Sequence, residues 1–100
     1  MKARYDMRPD AEILKDAAES VYGIRVAVTS ENESDAERLG FEIDGSSDES
    51  TAHQMQTWEQ DATNSILHNY ADNCSIDYDT ANNQLFHAVA DIEIENNRAC

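Results

Sequence analysis

The apolar positions of this chain change their spacing several times, and each change marks an expected element. Ile13, Leu14, Ala17, Ala18 and Val21 recur at intervals of three and four, which places them on one helix face. Pro9 suits a first helical turn, Asp10 and Glu12 favour the positive end of the helix dipole, and Gly23 is a natural C-terminal stop. A helix over 11–22 is therefore expected. Beyond it, Ile24, Val26 and Val28 alternate with Arg25, Ala27 and Thr29, the period of a strand with one buried face. Residues 30–37 are polar and read as a loop or a single helical turn. Leu39, Phe41 and Ile43 then alternate with Gly40, Glu42 and Asp44 as a second strand, and 45–47 form a loop.

The clearest helix signal lies further on. Ala52, Met55, Trp58, Ala62, Ile66 and Tyr70 fall three or four apart, with Leu67 beside them. Ser47, Asp48 or Ser50 would cap this helix, which should run to about residue 70 or 72. Ile76 and Tyr78 next alternate with Asp77 and Asp79, and 80–83 form a turn cluster. Phe86, Ala88, Ala90, Ile92 and Ile94 recur with period two, so 74–79 and 85–95 read as a hairpin. A rival reading exists for the last segment. Leu85, Val89 and Ile92 also fit a helix period, with Asp79 as its cap. Residues 96–100 read as a loose tail.

The expected order is helix, strand, strand, helix, strand, strand. It implies a single α+β domain with a four-stranded antiparallel sheet and both helices on one face. One hundred residues suit one domain. No apolar run reaches membrane-spanning length, and the opening residues Met1, Lys2, Ala3 and Arg4 are not followed by the apolar core of a signal peptide. A cytoplasmic location is expected, with Cys74 and Cys100 as thiols rather than a disulfide.

Charge changes the picture more than composition does. The formal net charge is −14, and it is unevenly placed. Residues 1–38 hold nine acids and six bases, whereas 39–97 hold no Lys or Arg at all. That tract carries Glu42, Asp44, Asp48, Glu49, Glu59, Asp61, Asp72, Asp77, Asp79, Asp91, Glu93 and Glu95. On the expected sheet, Glu42, Asp44, Asp77, Asp79, Asp91, Glu93 and Glu95 would share the outer face. Asp48, Glu49, Glu59, Asp61 and Asp72 would lie at its edge. Leu85, His87 and Val89 would share that face too. Like charges across strands destabilise a sheet, so such a face invites a functional explanation. Reversing Asp77, Asp91 and Glu93 to Lys would then leave the fold intact while abolishing binding.

Other chemistries find little support. His53, His68, His87 and the two cysteines have no metal-site spacing. Asp77 and Asp79 resemble the start of a calcium loop, but Ala81, Asn82 and Ala88 stand where ligands and glycine belong. The three glycines are isolated, so no phosphate-cradling loop is present. No pair of carboxylates is singled out for acid–base work, and no cofactor is implied. An anionic chain would also repel nucleic acid and acidic membranes.

In size, acidity and want of enzymatic motifs, the chain resembles phage-encoded anti-CRISPR and related DNA-mimic inhibitors. That resemblance implies a non-enzymatic inhibitor in an infected bacterium. It would bind the positively charged DNA channel of a CRISPR surveillance complex, with the twelve carboxylates above as its contact set. Tyr70, Tyr78 or Leu85 would supply an apolar anchor. Two other readings compete: a regulatory domain whose acidity is salt adaptation, or an antitoxin-like neutraliser of a basic protein. Eight Asn and four Gln sit uneasily with salt adaptation.

Overall fold

A computed structural model describes residues 9–98. The described chain is helical, with four helices in the order α1 (Asp10–Thr29), α2 (Glu33–Arg38), α3 (Thr51–Cys74) and α4 (Tyr78–Arg98). The expected α+β sheet is absent: no strand occurs among the described residues. The long helices α1, α3 and α4 pack mutually. Ala27 near the end of α1 meets Met55 near the start of α3, while Ile13 lies beside Tyr70. These two helices are therefore antiparallel. The Tyr70 hydroxyl donates to Gln84, and the Tyr78 hydroxyl to Asn64 at 3.4 Å, so α4 folds back along α3 and runs with α1.

Two apolar clusters hold the bundle. The larger joins Ile13, Ala18 and Val21 of α1 to Leu67, Tyr70 and Ala71 of α3 and to Ala81, Leu85 and Val89 of α4. The smaller joins Ala27, Ala36, Phe41 and Met55, with Trp58 packed on its edge. The rings of Phe41 and Trp58 lie 5.3 Å apart.

Every expected strand has a helical explanation. The stripe begun by Ile13, Leu14, Ala17, Ala18 and Val21 continues through Ile24 and Ala27, both buried. Helix α1 thus passes through Gly23 and absorbs the first strand. Packing outweighs the β-propensity of Val26 and Val28. Residues 85–95 follow the rival helical reading. Leu85 and Val89 are 1% and 0% exposed, whereas Phe86 is 44% exposed. The period-two run was a coincidence of a helix with a wide apolar face. The tail also changes, because α4 extends to Arg98; Cys100 lies outside the described residues.

The remaining two strands are helix endings. Helix α2 closes with Phe41 N–H donating to the Ala36 carbonyl at 2.9 Å and Gly40 N–H donating to Glu37 at 3.1 Å. This paired turn needs a left-handed residue, supplied by Gly40 at φ +104°. It also brings an apolar residue back onto the helix, and Phe41 packs with Ala36. Helix α3 ends the same way. Ile76 N–H donates to Ala71 at 3.1 Å, Ser75 takes φ +56°, and Ile76 packs on the larger core. Glu31 at φ +52° closes α1, with Asn32 N–H donating to Ala27 at 2.9 Å. The N-cap of α3 is Ser50, whose hydroxyl accepts from His53 N–H at 3.2 Å.

Gly23 supplies a test with an opposite sign in the two readings. It sits inside α1 without a positive φ, and a Cβ there would meet Leu39 Cδ1 at 3.9 Å, an ordinary contact. Gly23→Ala should therefore stabilise the protein by about 0.5–1 kcal/mol, because glycine loses more backbone freedom in a helix. Urea unfolding in dilute solution reads this. A stop glycine in the left-handed conformation would instead be destabilised by the same change.

Candidate anionic interaction surface

With the sheet gone, the seven carboxylates assigned to its outer face separate. Glu42 and Asp44 fall in the connection between α2 and α3, which also carries Asp48 and Glu49. Asp77 precedes α4 and Asp79 lies in its first turn. Asp91 and Glu95, four apart on α4, share one side of that helix, where like charges repel by a few tenths of a kcal/mol. Glu93 points elsewhere: Arg25 of α1 donates to its Oε1 at 2.9 Å. Glu59 and Asp61 lie on α3, and Asp72 near its end. Ten of the twelve are exposed, on the two connections, on α3 and on α4; Glu59 is half-buried and lines a cleft with Arg25, and Glu93, also half-buried, is a structural partner of Arg25.

Two of the acids have local duties that the sequence did not reveal. Asp77 is the N-cap of α4. Its Oδ2 accepts from Thr80 N–H at 3.2 Å, and its Oδ1 from the Thr80 hydroxyl at 2.6 Å. These bonds favour the charged form and hold the carboxyl below its ordinary range, the Thr80 hydroxyl most of all. Asp79, the cap of the rival reading, sits instead in the first turn. Asp44 accepts from Ser46 through both hydroxyl and N–H, at 2.6 and 3.0 Å, and its pKa is likewise lowered. It organises the connection, which Gln54 ties down by accepting from Asp44 N–H at 3.0 Å.

A stability consequence follows for Asp77. A carboxyl with a depressed folded-state pKa stabilises the fold above its unfolded pKa, and that contribution is lost as pH falls through the folded value. Asp77→Ala should lower the urea midpoint at pH 7. The gap from wild type should close as pH drops below the usual aspartate range. A gap of constant size at every pH would contradict this role.

One region gathers acids around an aromatic floor. Asp44, Glu49 and Asp61 rim a cleft of about 320 Å³ whose base includes Phe41 and Trp58. Glu49 also lies 3.9 Å from His53 Nε2, a pairing that matters only when the imidazole is protonated. A larger cleft of about 480 Å³ opens between α3 and α4. Gln56, Gln60, Thr63 and Asn64 line it, with Arg25 and Phe86 at its base. The Arg25 guanidinium lies 5.9 Å from the centre of the Phe86 ring.

The expected anchors are redistributed as well. Tyr70 and Leu85 are core residues. Tyr70 is buried enough to raise its pKa, with Cys74 and Asp10 adding to the effect. Tyr78 is 41% exposed, and its ring lies 4.8 Å from that of His68, tilted by 41°. Trp58 packs on the smaller core, as its helical stripe implies, and also lines the Asp44, Glu49 and Asp61 cleft, whereas Phe86, expected to face the core on a strand, is 44% exposed in the larger cleft. Among the described residues no group of His, Cys, Asp and Glu comes together to hold a metal ion, and no helix is long and apolar enough to cross a membrane. No protein-family model matches the chain, and no curated protein or solved structure is significantly similar to it.

Proposed function

We propose that this chain is a non-enzymatic binding protein whose partner presents a cationic, nucleic-acid-binding surface. The observation that carries the reading is the outward display of carboxylates from a tract without Lys or Arg. Of the twelve, Glu93 is joined by an ion pair to Arg25, and ten are exposed. An uncompensated anionic surface raises the local concentration of cationic partners and speeds their encounter. The resemblance to DNA-mimic inhibitors makes a CRISPR surveillance complex the first target to try, with its DNA as the displaced ligand. Because the acids lie on the connection and on two helices, the contact would wrap around the bundle rather than lay down one flat plate.

The dispersal of the acids over several faces favours a second reading, acidity as salt adaptation. The two differ in their response to salt. A partner-binding protein should give a full helical circular-dichroism signal in dilute buffer. It should retain cationic proteins from a bacterial lysate at about 50 mM salt and release them at about 500 mM, as screening shortens the reach of exposed charges. A chain that is unfolded in dilute buffer and folds only in molar salt would support salt adaptation and remove the binding reading.

A further inference from the structure

We propose that the cleft between α3 and α4 binds an extended, acid-free peptide segment of a partner protein, held through its backbone by a row of side-chain amides. In the second half of α3 the face toward α4 is apolar. Leu67 and Ala71 lie there in the larger core with Ala81 and Leu85. Gln60 and Asn64 stand seven positions earlier, on the same face, and Gln56 lies one turn before Gln60. All three amides are exposed. They line the cleft of about 480 Å³, which Arg25 and Phe86 complete from the other two long helices. The seam of a helix bundle is ordinarily closed by apolar side chains. This seam changes to amides halfway along and stays open.

Bonding capacity and spacing select the occupant. A side-chain amide offers both donors and an acceptor, the set that a peptide unit needs. The side chains of Gln56 and Gln60 have no hydrogen-bond partner among the described residues. Asn64 has the Tyr78 hydroxyl on its oxygen, at 3.4 Å, and its amino group is free to donate. Four residues of helix rise about 6.0 Å. Peptide units that face the same way along an extended chain recur about every 6.6–6.8 Å. Gln56, Gln60 and Asn64 therefore match three successive rungs of an extended backbone, over about 12 Å of helix. A compact ligand would use one amide rather than the row. Phe86, 44% exposed, offers its ring to an apolar side chain of the segment, and the net charge of −14 repels acidic segments. Uncharged groups do the holding. The inference therefore does not rest on the anionic surface, and the binding should change little between about 50 and about 500 mM salt.

The test is selection on the full chain from a displayed library of random peptides that lack charged residues and are about eight residues long, twice the span of the row. Selected peptides are then synthesised and titrated. Gln56→Ala combined with Gln60→Ala should weaken them roughly ten- to hundred-fold, through loss of two or more hydrogen bonds. The helical signal should be unchanged, because both positions are exposed and alanine favours the helix. N-methylation scanned along the peptide should weaken binding at alternate residues, those whose N–H faces the row. The combined Asp48→Lys, Asp61→Lys and Asp91→Lys variant should bind the same peptides as wild type does, so failure of the anionic-surface reading and failure of this one are read separately. A library that yields no binder would overturn the proposal. So would peptides that bind the double alanine variant as tightly as wild type, or that tolerate N-methylation at every position.

Discussion

Leu85→Ala should remove about 2–5 kcal/mol of unfolding free energy, the usual range for truncating a fully buried leucine. The neighbouring Phe86→Ala should cost about 1 kcal/mol, the scale of an exposed ring–guanidinium contact with some lost packing. The contrast follows from the helical register of α4, in which Leu85 is 1% exposed and Phe86 44% exposed. On a strand of the same segment, Phe86 would face the core and Leu85 the solvent, so the ranking would invert. A domain of this size has only about 5–15 kcal/mol of stability in total. The Leu85 variant should therefore be partly unfolded under mild denaturant while the Phe86 variant is not. Urea titrations of the two variants side by side settle the register without a structure determination.

The second large effect concerns binding. Asp48→Lys, Asp61→Lys and Asp91→Lys together should weaken the hold on a cationic partner by roughly ten- to hundred-fold. Single exposed pairs contribute about 0–1 kcal/mol each, and reversal turns each attraction into a repulsion. Most of the loss should appear in the association rate. These three are chosen because they neither cap a helix nor pair with a described cation. The combination that the sheet reading favoured, Asp77, Asp91 and Glu93, is unsuitable. Asp77 caps α4 and Glu93 holds Arg25, so reversing them would disturb the bundle as well as the surface. A loss of binding in that set would not separate the two effects.

The element boundaries show which local signals were legible. The helix of Met55, Trp58, Ala62 and Tyr70 was read correctly because its period of three and four is unbroken and Ser50 precedes it. Gly23 reads as punctuation in the sequence, whereas α1 carries it inside and runs on to Thr29, with the left-handed Glu31 just past its end. Two of the three left-handed helix ends use Glu31 and Ser75 rather than glycine, so composition did not mark them. Of Leu39, Phe41 and Ile43, which a strand would bury together, Phe41 is buried, Ile43 half-buried and Leu39 46% exposed. The cause is Phe41 folding back onto α2, not a ladder of strands. Ile76 repeats the same device at the end of α3. Period two over five residues cannot distinguish a strand from a helix ending that returns an apolar residue to the core.

The candidate surface was legible in its charge and not in its shape. The cation-free tract of residues 39–97 is a fact of sequence, and it predicts a surplus of exposed carboxylates on any fold. Which of them lie together depends on the fold, and the error in the sheet carried over to the face. The pairing of Arg25 with Glu93 spans sixty-eight positions, and only tertiary packing creates it. The Asp44, Glu49 and Asp61 cleft likewise depends on the connection docking against α3 through Phe41 and Trp58.

Displacement of DNA tests the central claim most directly. Folded wild-type chain would be titrated into guide-loaded CRISPR surveillance complexes holding labelled duplex target, at about 100 mM and about 500 mM salt. The account predicts release of the duplex at the lower salt, little release at the higher, and a weaker effect from the Asp48, Asp61 and Asp91 reversals. A folded chain that leaves the duplex bound at the lower salt in every complex tried would contradict it.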